Sequence, residues 1–119
     1  LATQKNIQKG NYGEDLAVKY LRNQGYAIVE RNWRFGHLEL DIVAEKDGVT
    51  AFVEVKLRNT DEHGHPEQGV TPAKMRELRK AAEAYIYAKD LENYRFDIIA
   101  ITLWPNQSPE IVHFDDAFF

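Results

Sequence analysis

In the segment AFVEVK, Glu54 and Lys56 fall on one side of an extended strand and Val53 and Val55 on the other, because successive side chains alternate faces. A carboxylate and an ammonium side by side on a strand with apolar flanks form either a surface ion pair or a reactive pair. A second anomaly lies upstream in HLELDIVA (37–44), where alternation puts Leu40 and Ile42 on one face and Glu39 and Asp41 on the other. The dipeptide Asp47-Gly48 between the two segments is a strong hairpin signal, and a short hairpin there brings Asp41 close to the strand of Glu54. Two carboxylates from adjacent strands repel, and each resists ionising unless a cation is near. A divalent ion relieves that repulsion, and an all-oxygen set suits Mg2+ or Mn2+. The solvated face of an antiparallel hairpin would also accommodate both acids. Glu14 is the third acid, bordering the face formed by Ala17, Val18 and Leu21, although a glutamate near a helix start also complements the helix dipole. Together Glu14, Asp41, Glu54 and Lys56 offer what metal-assisted phosphodiester hydrolysis needs: ligands for the ion, an orienter for water, and a cation to offset charge on the phosphate.

These side chains need a scaffold. Asn11 to Gln24 reads as a helix, capped by Asn11 and ended by Gly25, with Ala17, Tyr20, Leu21 and Gln24 on a shared face. Residues 1–9 are polar and are expected to fray. YAIVERNW (26–33) predicts a strand, Phe35-Gly36 a turn, and HLELDIVA and VTAFVEVKLR (49–58) the next two strands. The stretch NTDEHGHPEQGV (59–70) has no apolar periodicity and predicts an exposed loop. Thr71 is the expected N-cap of a second helix with Pro72 at its first position, and Met75, Leu78, Ala82 and Tyr85 form its buried stripe. YRFDIIAITL (94–103) predicts a strand buried on both faces. A turn at Trp104-Pro105-Asn106 then leads to a short last strand, EIVHF (110–114). The order α-β-β-β-α-β-β predicts an α/β domain over residues 1–119, a mixed sheet flanked by helices.

Composition narrows the function classes. The 119 residues suit a single domain. No apolar run approaches the roughly 18 residues of a membrane-spanning helix, and LATQKNIQKG lacks the apolar stretch of a secretion signal, so a cytoplasmic protein is expected. With no cysteine, disulfides, thiolate metal sites and thiol nucleophiles are excluded. The glycines are isolated, so a phosphate-cradling loop for a nucleotide cofactor is not expected. The formal charge of −4 argues against a protein that coats nucleic acid by bulk positive charge. That charge is uneven, however. Residues 1–34 hold six Lys/Arg against three Asp/Glu, and residues 71–80 hold four against one, which leaves room for a locally basic surface.

The spacing Asp41 … Glu54-Val55-Lys56 resembles the signature of the PD-(D/E)xK nuclease superfamily. The ordered set GEDLAVKYLRNQGY (13–26), RNWR (31–34), ELDIVA (39–44), FVEVKLR (52–58) and RFDIIAI (95–101) resembles the YraN family of small bacterial proteins, which is related to Holliday-junction resolvases. The tripeptide alone is unspecific, whereas the ordered set is specific and covers most of the chain. The resemblance implies a restriction-endonuclease-like core with a central hairpin bearing the site. It implies Glu14, Asp41, Glu54 and Lys56 as catalytic residues, with Asp41, Glu54 and the backbone carbonyl of Val55 as ligands of Mg2+ or Mn2+. Two departures are visible: Leu40 stands where the superfamily's proline would precede Asp41, and Leu38 stands where the family more often has glycine. Neither removes a reactive group.

Other polar and aromatic groups are candidates for holding a substrate. Arg58 and Lys74 are placed to contact phosphates without reading bases; Arg76, Arg79 and Lys80 fit a solvated helix face as well. Trp33 and Phe35 offer rings for stacking on exposed bases or for packing. His63 and His65 lack a metal-site companion at a recognised spacing, and their loop is a candidate flap over DNA. The expected activity is endonucleolytic hydrolysis of branched or structured DNA. A homodimer is expected because relatives that cut junctions sever two strands; sedimentation showing only monomer, with and without junction DNA, would count against it. The alternative is a nucleic-acid-binding or adaptor protein that keeps the nuclease fold without cutting.

Overall fold

Local signals place most elements. A computed structural model of the chain describes residues 2–59 and 71–117, with side chains from Tyr12 onward. Its elements are α1 (Ala2–Asn23), β1 (Ala27–Phe35), β2 (Leu38–Lys46), β3 (Val49–Asn59), α2 (Pro72–Lys89), β4 (Tyr94–Leu103) and β5 (Glu110–Phe114). This is the predicted order, and it forms one five-stranded mixed sheet with strands in sequence order. Only β3 and β4 run parallel, because α2 carries the chain between them. Asp47 and Gly48, with φ of 52° and 79°, turn β2 into β3 as a two-residue hairpin. Of the expected loop 59–70, Asn59 instead ends β3, and the rest, with His63 and His65, lies outside the described residues. No helix among the described residues is long and apolar enough to cross a membrane.

Each helix covers one face of the sheet. Ala17, Val18 and Leu21 of α1 pack on Ile42, Ala44, Ala51, Val53, Ile99 and Ile101. Leu78, Ala81, Ala82 and Tyr85 of α2 pack on Leu38, Leu40, Val43, Phe52 and Phe96. Burying both faces explains why β4 is closed to solvent from Phe96 through Ile101. Thr71 accepts the Lys74 N–H at 3.1 Å in front of Pro72, the expected cap. Thr71→Ala is therefore expected to cost about 1 kcal/mol, read as a lowered midpoint in urea with an unchanged slope.

Met75 is half-buried rather than part of the buried stripe of α2, which Ala81 joins instead. Two further expectations need correction. Asn11 lies inside α1 rather than capping it, since the helix starts at Ala2. Residues 2–10 hold no proline, and their single Gly10 costs only about 1 kcal/mol in a helix. Leu40 and Ile42 do not share a face: Leu40 joins the cluster under α2 and Ile42 the cluster under α1. Alternation breaks at the residue between them, Asp41. The same break occurs next door on β1, where Arg31 reaches α1, Trp33 packs on Tyr85 of α2, and Asn32 between them has φ of 53°. A left-handed residue inserted in a strand turns the following side chain to the other face.

Candidate active site

The sheet forks where the acids lie. The β2–β3 ladder runs from Lys46↔Val49 to Ile42↔Val53 and stops there. Beyond it β2 stays with β1 as far as Phe35↔Leu38, and β3 stays with β4 as far as Asn59↔Leu103. Asp41 and Glu54 are the next facing pair. In place of a ladder bond, the Asp41 carboxylate accepts the N–H of Val55 at 3.0 Å. The N–H and C=O of one strand residue point to the same side, so the Val55 carbonyl is directed into the same gap. Glu54 and Lys56 lie on the α2 side of β3, between Val53, Val55 and Leu57, which face α1.

Glu14 arrives from the opposite face. It stands beside Gly13, where a Cβ would lie 3.4 Å from Leu57, so α1 sits close on the end of β3. Its side chain is 15% exposed, 3.8 Å from the Arg31 guanidinium, which binds Asp15 more closely at 2.7 Å. The break in alternation at Asp41 is what lets acids from both faces converge on one fork.

Burial raises all three carboxyls. Glu54, 13% exposed, is pushed up to about 8 by burial and then by the Asp41 charge, while the Lys74 ammonium holds it back. Burial and the facing Asp41 charge thus favour the protonated form of Glu54 as long as no cation lies between the two acids. Asp41 is raised by burial against the opposing effect of the Val55 N–H, and Glu14 by burial and then by Asp41.

Glu54 Oε2 and Glu14 Oε1 are buried without a hydrogen-bond partner among the described residues, as oxygens awaiting a cation would be. Among the described residues no three Asp, Glu or His side chains are grouped tightly enough to hold an ion alone. The set at the fork is two carboxylates and a carbonyl, which fits Mg2+ or Mn2+; Mg2+ takes one or two carboxylates and fills its octahedron with water and phosphate oxygens.

The remaining candidates are distributed unevenly. Lys74 lies 3.8 Å from Glu54, so α2 delivers it to the acids rather than to open surface. Lys56 makes no ion pair among the described residues. Arg58 follows two residues later, half-buried. Arg79 is tied to Glu83 at 3.3 Å on the solvated face of α2. Nothing in the residue pattern marks Glu39 as a site residue beyond its place two residues before Asp41, yet its charge pushes up Glu14, Asp41 and Glu54 alike. Its bond to Arg34 at 3.1 Å partly neutralises it.

Comparison with known proteins places this arrangement in a family. The model of the uncharacterised protein family UPF0102 matches residues 13–101, a span that includes Glu14, Asp41, Glu54 and Lys56. A UPF0102 protein of Flavobacterium psychrophilum is 43% identical over 111 residues, covering 92% of each chain. One of Chlorobium phaeobacteroides is 42% identical over 116 residues, covering 92% of this chain and 91% of its own. One of Geobacter sulfurreducens is 45% identical over 111 residues, covering 92% and 87%. The chain belongs to the UPF0102 family, the YraN family that its motifs resemble.

Proposed function

We propose that the fork is the active site of a metal-dependent phosphodiesterase acting on nucleic acid, an endonuclease for branched or otherwise structured DNA. The observation that carries this reading is the meeting of Asp41 and Glu54 where β2 and β3 part, with Glu54 Oε2 buried and unpartnered. Asp41, Glu54 and the Val55 carbonyl are the groups that would hold Mg2+ or Mn2+. Lewis acidity toward the scissile phosphate, and a more acidic attacking water, are what such an ion supplies. The Val55 N–H fixes one Asp41 oxygen and leaves the other for binding. Lys56, free of acidic partners among the described residues, orients the attacking water and offsets charge on the phosphate. Glu14 holds the far side of the site in place through Arg31 and Asn32.

The test is cleavage of labelled linear duplex, single strand, flap, fork and four-way junction with Mg2+, Mn2+ or EDTA, alongside calorimetric titration of each ion. Cleavage that requires the ion, and that a folded Asp41→Ala protein has lost together with ion binding, is the expected result. A second reading, a non-cutting nucleic-acid adaptor, is favoured by the net charge of −4 and by the engagement of Lys74 and Arg31 with acids. Neither cleavage nor ion binding by the wild-type protein would establish that reading instead.

A further inference from the structure

Trp33, Phe35 and Leu38 on one side, and Ala84, Tyr87 and Ala88 of α2 on the other, line an apolar groove of about 620 Å3. Trp33 is anchored edge-on against Tyr85 at 5.1 Å, and Phe35 lies nearly parallel to it, 6° between the planes and 6.5 Å between centroids. Core packing accounts for Trp33 but not for its neighbours: Phe35 is 54% exposed and Tyr87 91% exposed. Aromatic faces left in water at the mouth of a groove are expected where something stacks on them.

The rim points to the chemistry of the occupant. Lys80 stands there with no carboxylate partner among the described residues, while the rim acid Glu83 is neutralised by Arg79. Leu38 lines the groove, and Asp41 follows three residues along β2, about 10 Å away at strand rise. Groove and acids therefore lie within reach of one short stretch of nucleic-acid backbone.

We infer that this groove is a stacking site for unpaired nucleobases, so that the substrate carries a single-stranded segment beside the phosphate to be cut. The inference rests on the phosphodiesterase reading and names its substrate class. Bases inside a duplex present only their edges, whereas unpaired bases offer faces to aromatic rings and their phosphates to a lysine. A second copy of the chain fits less well. A stable interface needs about 800 Å2 from each partner, and the large exposed apolar groups here are confined to Phe35 and Tyr87.

The test measures anisotropy of a labelled single strand in EDTA, comparing a base-bearing strand with an abasic one of equal length and charge. The full chain is expected to prefer the base-bearing strand by about 10- to 100-fold. The Phe35→Ala/Tyr87→Ala protein is expected to lose that preference while binding the abasic strand unchanged, and Tyr87→Phe is expected to retain it. With Trp104→Phe leaving Trp33 as the one tryptophan, base-bearing strands are expected to quench its fluorescence and abasic strands are not. Equal affinity for both strands overturns the inference, as does sedimentation showing that the double alanine variant dissociates a dimer. Base preference without ion-dependent cleavage would sink the phosphodiesterase reading and leave the groove standing. Cleavage without base preference would do the reverse.

Discussion

Glu54→Gln is expected to stabilise the ion-free protein at pH 8 while abolishing cleavage. An ordinary glutamate at 4.5 releases its proton in the unfolded chain, but the buried Glu54 holds it up to about 8. Between those values the folded state binds more protons, so stability falls as pH rises through that window. The difference corresponds to at most about 5 kcal/mol. Glutamine carries no charge at any pH and removes this slope, so the gain is largest at pH 8 and small at pH 5. In the wild-type protein Mn2+ or Mg2+ is expected to restore the lost stability, since a cation stabilises the ionised pair. The variant should show no such rise. Melting curves at pH 5, 6.5 and 8, with EDTA and with Mn2+, check each part. An unchanged slope in Glu54→Gln would show that Glu54 is not the strained group. Loss of both the slope and the rise with Mn2+ would establish a binding site assembled at the expense of stability.

Much of this geometry was legible in the sequence because it rests on local signals. Asp47-Gly48 sets the hairpin, and counting outward from it makes Asp41 face Glu54 one step past Ile42↔Val53. The bounds of β4 and β5 coincide with the predicted 94–103 and 110–114, where turn residues end clear apolar runs. The break in alternation between Leu40 and Ile42 was not legible. It depends on the left-handed Asn32 of a neighbouring strand and on β3 leaving β2, both of them tertiary events. For the same reason the sequence could place Glu14 beside a buried face but not at the far side of the fork. Lys74 stands out in the sequence by its place at the start of a helix that follows the site strand, but only the docking of α2 on the sheet brings it to Glu54. Asp97 gives no such signal, because a lone acid in YRFDIIAITL looks like an ordinary interruption of an apolar strand.

Asp97→Asn is expected to destabilise the fold by about 3–5 kcal/mol, roughly 4 °C of melting temperature for each kcal/mol in a chain of this length. Its carboxylate is fully buried and collects charged and neutral donors: Arg95 Nε at 3.0 Å, His113 Nε2 at 2.7 Å and the Asp116 N–H at 3.0 Å. The second imidazole nitrogen of His113 meets the Tyr20 hydroxyl of α1 at 3.3 Å, and Arg95 donates to the Tyr26 hydroxyl. One carboxylate thereby ties α1, β4, β5 and the turn at Asp116 together. Burial alone would raise its pKa, but the bonds from His113, Arg95 and Asp116 outweigh burial and hold it below the usual 3.8. A depressed acid contributes stability above its unfolded value and loses it as pH falls through the folded one. Its sign is opposite to that of Glu54, so the ion-free wild-type protein should be most stable between the two windows, at about pH 4. Asparagine can accept a hydrogen bond but leaves the Arg95 charge without its counterion. Chemical denaturation at pH 6 measures the loss, and a value under 1 kcal/mol would show the network to be dispensable. Because Asp97 touches neither Asp41 nor Glu54 directly, the variant should bind Mn2+ with unchanged affinity below its melting point. A network that sets stability and a fork that sets chemistry would then be separable by one substitution in each.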